Sequence, residues 1–533
     1  MFLRKTIVKA NIKFFGIQFL LINLLVLFTY CSKGKNNPAV PSDNPKIISL
    51  TVDITKTYQV IDNFGASDAW ACQFAGNWPE SKKNAIADLL FSSEFTSEGQ
   101  PKGIGLSLWR FNVGAGSAQQ GAQSGISDEW RRAGSFLNND GSYNWQGQLG
   151  QIWFLKAAKE RGVEQFLAFS NSPPVQLTSN GKAYASSGKS NLTPEKFDDF
   201  AVFLADVVKG VHQQTGVKFD YISPVNEPQW DWSDGGQEGS PFMNKDVSGI
   251  VKSLNVALQQ QNLSSRIVVS EAAEYEFLYS DKDKPGRGSQ IDAFFNPASS
   301  DYIGDLSNTA RIICGHSYFT TSPFSRAVSI RQEAAKKTAS VNNLKFWQSE
   351  YCILGDNAGE IEGNKRDLGI NSALYMARVI HNDLVHANAA AWHWWLAVSP
   401  YDYKDGLVYI DKSKTDGNYY PSKMLWALGN YSRFIRPGAV RVEASADQAS
   451  AKNDMLLVSA YRDAGAGKLI TVIVNSDIKP VNLRLSVKNG SVTAVIPYIT
   501  SAEADLKPAS VIKTSEQINV QPRSIITLIG NIQ

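Results

Sequence analysis

The chain predicts a (β/α)8 TIM barrel, an α/β fold, with an all-β side sandwich built from the N-terminal strand and the C-terminal region. Three observations predict it. Across residues 61–436, short apolar strand-like runs recur with helical stretches between most of them, and eight such repeats suit a closed parallel barrel. No Gly-x-Gly-x-x-Gly opens a helix after a strand, which counts against an open dinucleotide fold. After Pro437 the rhythm gives way to short alternating strands with Gly, Asn and Asp turns, the texture of a sandwich.

Residues 1–31 read as an export signal. Arg4, Lys5, Lys9 and Lys13 form a basic start. Residues 14–29 are apolar but too short and too early for a membrane span. Cys31 follows at once, and the pattern resembles a bacterial lipoprotein signal with Cys31 lipidated, although Tyr30 stands where a small residue is usual. An ordinary signal peptide cut nearby is the alternative. Either way the chain is expected to be exported, lipid-anchored at the cell envelope or secreted. Residues 32–45 form a polar tether.

Residues 46–60 alternate through Ile48, Leu50, Val52 and Ile54, a half-buried strand. It has no partner inside a barrel and is expected to pair with residues 437–533. Barrel strands are read near Phe64 and at 106–112, 165–169, 219–223, 266–270, 311–314, 344–349 and 389–391. Helices are read at 151–161, 194–214, 247–261, 330–340, 367–386 and 421–434. The second opens with Thr193 as N-cap and Pro194 at the first helical position. Side-domain strands are read at 455–461, 468–475, 481–487, 491–500, 511–520 and 524–530.

With 533 residues, 43% hydrophobic and 19% charged, the chain can bury a core larger than one small domain needs. A net charge of +3 without a basic block argues against nucleic acid as a partner. The 13 Trp, 19 Tyr and 26 Phe supply core, and a surplus of indoles also suits a glycan cleft. The 5 His and 4 Cys show no Cys-x-x-Cys or His-Glu-x-x-His spacing, so no metal and no cofactor are expected. Cys72, Cys314 and Cys352 are an odd set without close spacing, which argues against a disulfide scaffold. They read as buried thiols, with one Cys314–Cys352 bridge left open.

Active sites of such barrels gather at the carboxyl ends of the strands. Asp68, Arg110, Asn171, Asn226, Glu227, Glu271, His316, Tyr318, Glu350 and Trp394 all fall there. Each alone is explained by loop solvation; their recurrence at strand after strand is not. Glu227, in Pro224-Val225-Asn226-Glu227-Pro228, and Glu350, in Gln348-Ser349-Glu350, would face one another across the barrel mouth. Two carboxylates flanking a glycosidic bond hydrolyse it with retention at about 5–5.5 Å separation and with inversion at about 6.5–9.5 Å. One of them must stay protonated as the acid.

Asn226-Glu227-Pro228 after the fourth barrel strand and Gln348-Ser349-Glu350 after the seventh resemble the retaining glycosidases of the 4/7 superfamily. More narrowly, the chain resembles glycoside hydrolase family 30. The motifs are Phe64-Gly65, Leu108-Trp109-Arg110-Phe111-Asn112-Val113-Gly114, Ser172-Pro173-Pro174 with Asn180-Gly181, and His316-Ser317-Tyr318. The resemblance covers residues 47–533. It implies Glu227 as acid/base, Glu350 as nucleophile and no cofactor. It also implies Asn226 on the sugar 2-hydroxyl, Arg110 and Tyr318 holding the nucleophile ionised, Trp394 flooring the −1 subsite and Asp68 on sugar hydroxyls. Trp70, Asn171, Trp230, Glu271 and His316 are counted with these as substrate-binding. Plainer alternatives stand beside them: Arg110 as a barrel ion pair, Tyr318 and Trp394 as core filling.

Two departures bear on substrate. Asn171 stands where glucosylceramidase-like members carry Trp, which leaves room for an axial 4-hydroxyl, and Asn63 replaces the usual Gly before Phe64-Gly65. Pro228-Gln229-Trp230-Asp231-Trp232 and Gln237-Glu238-Gly239-Ser240-Pro241 resemble the endo-β-1,6-galactanases of the family, with Trp230 and Trp232 as subsite stackers or loop core. The expected activity is therefore endo-hydrolysis of β-1,6-galactan, such as arabinogalactan side chains, by a monomer that meets the membrane only through its anchor. Other family activities (β-1,6-glucanase, xylanase, β-glucosidase, β-fucosidase or β-xylosidase) and a non-catalytic surface glycan-binding lipoprotein are the alternatives.

Overall fold

The computed structural model describes residues 47–447 and 454–533. The signal, the lipidated Cys31 and the tether expected over residues 1–45 lie outside the described residues. Among the described residues no helix is long and apolar enough to cross a membrane.

After β1 (Ile47–Val60) come the strands of a closed barrel. They are β2 (Asn63–Ser67), β3 (Leu108–Asn112), β4 (Gln165–Phe169), β5 (Tyr221–Ser223), β6 (Arg266–Ala272), β7 (Thr309–His316), β8 (Lys345–Glu350) and β9 (Ala391–Ser399). Each pairs in parallel with the next, and β9 closes onto β2 with Asn63 opposite Ala391 and Gly65 opposite His393. Every residue of β2, β3 and β9 is buried. Strands covered on both faces read as continuous apolar runs rather than alternations.

The helices Leu149–Glu160, Phe197–Thr215, Asn244–Gln260, Phe324–Ala339, Ile370–Val385 and Lys423–Ser432 run between and after the strands. In Phe197–Thr215, Phe200, Phe203, Leu204, Val207, Val208 and Val211 are buried, the three- and four-residue spacing of one helix face. Gly216, at φ 69°, ends it in the left-handed conformation that glycine adopts without strain. The expected Thr193 cap is not made. Residues Pro194–Lys196 form a 3-10 turn, and the Thr193 side chain reaches no helix N–H; the fixed φ of Pro194 starts the turn instead.

Two strands that sequence reading missed, β10 (Gly406–Ile410) and β11 (Tyr419–Pro421), extend the sheet from the far end of β9. The all-β region holds β12 (Val440–Ala446), β13 (Leu456–Asp463), β14 (Lys468–Asn475), β15 (Val481–Lys488), β16 (Ala494–Thr500), β17 (Lys507–Pro508), β18 (Ile512–Lys513), β19 (Ile518–Val520) and β20 (Ser524–Asn531). With β1 they form one continuous sheet, β17-β16-β20-β14-β13-β12-β1-β15-β19, with β18 added to β16. β1 runs antiparallel to β12 and parallel to β15. The sheet folds over a core of its own: Ile48, Leu50 and Val52 share it with Ile473, Leu483, Val495 and Leu528. The single strand read at 511–520 is two. Glu516 N–H donates to Lys513 O in a turn, so that β18 joins β16 while β19 joins β15.

The barrel register breaks at the carboxyl ends of its strands. Gly315 faces Gln348, but His316 faces Glu350; β6 and β7 slip between Val269 and Ala272; and Ala66 faces Trp394 while Ser67 faces Leu396. Such irregularities re-aim side chains, and here they coincide with the polar residues of the mouth. Cys72, Cys314 and Cys352 are free and buried, so the open Cys314–Cys352 bridge is not formed.

Candidate active site

Glu227 follows β5 and Glu350 ends β8. One oxygen of each, with a ring nitrogen of His316, lies within 4.8 Å of the others. The two glutamates are 6% and 4% exposed, so their charges are set by the protein more than by water. Glu227 and Glu271 both have positive φ, 43° and 53°. A non-glycine residue held there costs about 1–3 kcal/mol, and such strain gathers at functional sites. The acid loop is braced from three sides. Glu227 N–H donates to Glu271 O at 2.9 Å, and Glu227 O accepts from Trp230 N–H at 3.2 Å and Trp232 Nε1–H at 3.0 Å. The Trp232 ring packs on Gly239, where a Cβ would lie 2.4 Å from the indole. Trp232, half-buried, thus holds the loop that carries Glu227.

Glu350 takes two strong donors. Arg110 Nη1 reaches Oε2 at 2.7 Å and Tyr318 Oη reaches Oε1 at 3.0 Å. Arg110 Nη2 also lies 3.4 Å from Glu271 Oε1. Glu271 accepts in addition from His316 Nε2 at 3.0 Å and from the Ser349 hydroxyl. Burial alone would raise Glu271, but Arg110 and His316 outweigh it and hold the carboxyl down at about 2. His316 is flanked by carboxylates: Nδ1 is 2.8 Å from Glu227 and 3.8 Å from Glu350. Burial opposes the imidazolium, yet Glu350, Glu227 and Glu271 push it up to about 10.

Two cations, Arg110 and His316, therefore face three carboxylates. Glu271 and Glu350 both touch Arg110; Glu227 does not. The proton needed for neutrality falls on Glu227, whose carboxyl burial pushes up to about 7, aided by the charge of Glu350 and opposed by His316 and Arg110. One carboxyl is left protonated and one ionised, side by side, as acid and nucleophile require. Convergence of Glu227, His316 and Glu350 is also a spacing at which metal ions are held. An imidazolium donating from both nitrogens has no lone pair to offer, so this donor set suits proton transfer.

Glu271 and His316, expected on the sugar, lie behind the carboxylates. With Arg110, which was expected to hold Glu350, they are fully buried and engage one another and the two glutamates. Asp68 is fully buried too. Its Oδ1 accepts from Asn112 N–H at 2.7 Å, its Oδ2 has no protein partner, and burial pushes it up to about 7. Asn171 Nδ2 approaches Asn112 Oδ1 at 3.5 Å. Asn112 Nδ2, Asn171 Oδ1 and Asn226 Oδ1 have no protein partner. Buried polar atoms are almost always paired, so water or a polar ligand can take up this arc of donors and acceptors from β2 to β5. Asn63 lies at the opposite end of β2, bonded to Gln165 and His393, and takes no part in the site.

Trp394 is a correction. It is fully buried, stacks 6.1 Å from Trp392 and donates its N–H to Asp405 O at 2.6 Å; it is core filling. Strand alternation puts Trp395 on the other face of β9, where its ring meets Trp70 edge-on at 5.3 Å and Phe169 at 6.3 Å. Trp70 is 5% exposed with an unpartnered indole N–H. Trp230 is half-buried and edge-on to Phe319 at 6.1 Å, and Phe319 is 48% exposed; the pair forms an apolar rim. Sequence reading gave no role to Trp395, Phe319 or Glu238. Glu238 is buried and accepts from Ala115 N–H at 2.9 Å and Ser117 N–H at 3.2 Å, tying the loop after β5 to the loop after β3. Nothing local marks that pairing.

The profile described as O-Glycosyl hydrolase family 30 matches residues 47–409. An endo-beta-1,6-galactanase of Hypocrea rufa is 25% identical over 446 residues, 80% of this chain and 81% of that one. Glucuronoxylanase XynC of Bacillus subtilis (strain 168) is 24% identical over 528 residues, 95% and 97% of the two chains. Among solved structures, a conserved exported protein from Bacteroides fragilis superposes with a TM-score of 0.84 at 34% identity, covering 90% of this chain and 100% of that one.

Proposed function

This chain belongs to glycoside hydrolase family 30, and on that premise we propose that it is a retaining endo-β-1,6-galactanase. The observation that carries the retaining mechanism is the Glu227–Glu350 pair, one oxygen of each no more than 4.8 Å from one of the other, which favours the roughly 5–5.5 Å carboxyl spacing of retaining enzymes over the roughly 6.5–9.5 Å of inverting ones. Glu350, fixed by Arg110 and Tyr318, attacks the anomeric carbon while Glu227 gives its proton to the departing oxygen. The glycosyl–Glu350 ester then forms. Glu227, left as a carboxylate by that transfer, stays ionised because the esterified Glu350 no longer carries a charge to raise it, and it takes a proton from the attacking water. Water cleaves the ester, Glu350 is freed and the configuration is retained.

Galactan is supported by the kinship with the Hypocrea rufa enzyme and by the small amide of Asn171 at the mouth. Xylan is the second reading, supported by the glucuronoxylanase that matches nearly end to end. Protein beginning after Cys31 is to be incubated with de-arabinosylated β-1,6-galactan, β-1,6-glucan and xylan in parallel. Oligosaccharides released from galactan alone are the expected result. Cleavage of another polymer would discard the substrate and keep the mechanism, and monosaccharide alone from the first minutes would discard endo action.

The same assay carries a pH prediction. The donor must be protonated, and Glu227 holds its proton to about 7. As pH rises through that value the proton is lost, so kcat/KM is expected to fall about tenfold per unit on the alkaline side. A profile flat from pH 6 to 9 would remove Glu227 from that role.

A further inference from the structure

His316, the last residue of β7, and Tyr318 just past it turn toward Glu227 and Glu350, and Ser317, between them, turns the opposite way. There Ser317 Oγ lies 3.0 Å from Asp383 Oδ2 and 2.9 Å from Tyr275 Oη. Asp383, on helix Ile370–Val385, is fully buried. Its Oδ2 also accepts from Trp392 Nε1 at 2.9 Å, and its Oδ1 accepts from Arg331 Nε at 2.7 Å and Tyr275 Oη at 2.9 Å. One carboxylate thus gathers donors from β9, helix Phe324–Ala339, the segment after β6 and the end of β7. Arg331, also fully buried, reaches Thr320 O at 2.7 Å, and Thr320 Oγ1 returns to Ser317 O at 2.8 Å. The segment after β7 is pinned at Ser317 and Thr320 to a charge pair behind the barrel wall.

A buried ion pair is weak evidence for stability, since desolvation can exceed the coulombic gain. A fully bonded one rigidifies what it touches. What this one touches is the backbone between the partners of both catalytic carboxylates.

We propose that Asp383, acting through Ser317, is a positioning residue for catalysis: it sets the reach of His316 to Glu227 and of Tyr318 to Glu350. The proposal rests on the reading of Glu227 and Glu350 as the glycosidase pair. The groups that face His316 are Glu227 after β5, Glu271 on β6, Glu350 on β8, Arg110 on β3, His393 on β9 and Tyr318 on its own segment. Only the anchorage of His316 and Tyr318 changes when Ser317 is loosened. His316 holds Glu227 down against burial, so a weaker contact leaves Glu227 protonated to higher pH.

Ser317→Ala is the test because it leaves the Arg331–Asp383 pair whole. It is expected to lower kcat about tenfold or more with KM little changed and to move the alkaline limb upward; Ser317→Thr, which keeps the hydroxyl, is expected to restore both. Tyr275→Phe removes the other partner of Ser317 and is expected to act in the same direction, so the proposal stays open to refutation even where Ser317→Ala fails to fold. A second readout needs no substrate. In protein labelled with 15N-histidine, the His316 signal, identified by its loss in His316→Gln, is expected to titrate at lower pH in Ser317→Ala. A chain that cleaves no glycan would sink the glycosidase reading, while this titration still decides the positioning. A Ser317→Ala variant whose alkaline limb and His316 titration both match the wild type overturns the proposal, whatever its melting temperature or kcat.

Discussion

Glu350→Ala is expected to lose on the order of 10^4-fold or more in kcat, and azide is expected to restore turnover by making an α-glycosyl azide. The expectation follows from geometry. Glu350 takes Arg110 and Tyr318, and in the proposed mechanism it is the attacking anion. With that carboxylate gone, a small anion can attack from the same side, and a single displacement inverts the centre. Glu227→Ala is expected to behave differently on an aryl β-1,6-galactobioside. A good leaving group needs no proton, so the glycosyl enzyme still forms and azide then displaces Glu350, giving the β-azide. On galactan itself the loss is expected to be about 10^2–10^4-fold, the range for general acid catalysis. Kinetics on both substrates with NMR of the azide products checks this. An α-azide from Glu227→Ala would exchange the two roles, and galactan cleavage undiminished in either variant would remove that glutamate from the catalytic pair.

The barrel was legible because β2, β3 and β9 are buried throughout and their apolar runs are short and bounded. The side sheet was legible from the opposite cue, the period-two burial of Ile48, Leu50, Val52 and Ile54 in β1. β10 and β11 were missed because they pair only where β9 runs on past the barrel, which no local pattern announces. In the site, Glu227 and Glu350 were legible as carboxylates leaving strands. The reach of Arg110 and Tyr318 to Glu350 was expected from the resemblance, but that Glu271 and His316 brace the carboxylates was not. His316 and Glu271 carry the same kind of signal as Asn171, yet they turn inward on each other. Trp394 and Trp395 are neighbours in β9 and face opposite ways, and which face is core shows only in the closed fold. The Ser317–Asp383 bond spans 66 residues, and only the closed barrel brings its ends together.

Arg110→Met is expected to cost roughly 3–5 kcal/mol of stability, the range for removing one partner of a buried ion pair, and most of the activity. Arg110 is fully buried, lies 4.0 Å above the Phe169 ring and bridges Glu271 and Glu350. Without it His316 alone faces three carboxylates, and a second carboxyl must take up a proton; if that one is Glu350, the nucleophile is lost. Lysine is no substitute, because a point charge cannot reproduce the planar fork that reaches both partners. The second variant separates the two roles. Arg110→Met with Glu271→Gln removes one positive and one negative charge, so the balance of the site is restored and stability, read by denaturant unfolding, is expected to return in large part. Activity is not, because Glu350 still lacks its 2.7 Å donor. Recovery of activity in the double variant would mean that Glu350 does not need the Arg110 donor, and wild-type stability in Arg110→Met would mean that charge balance is not what holds this site together.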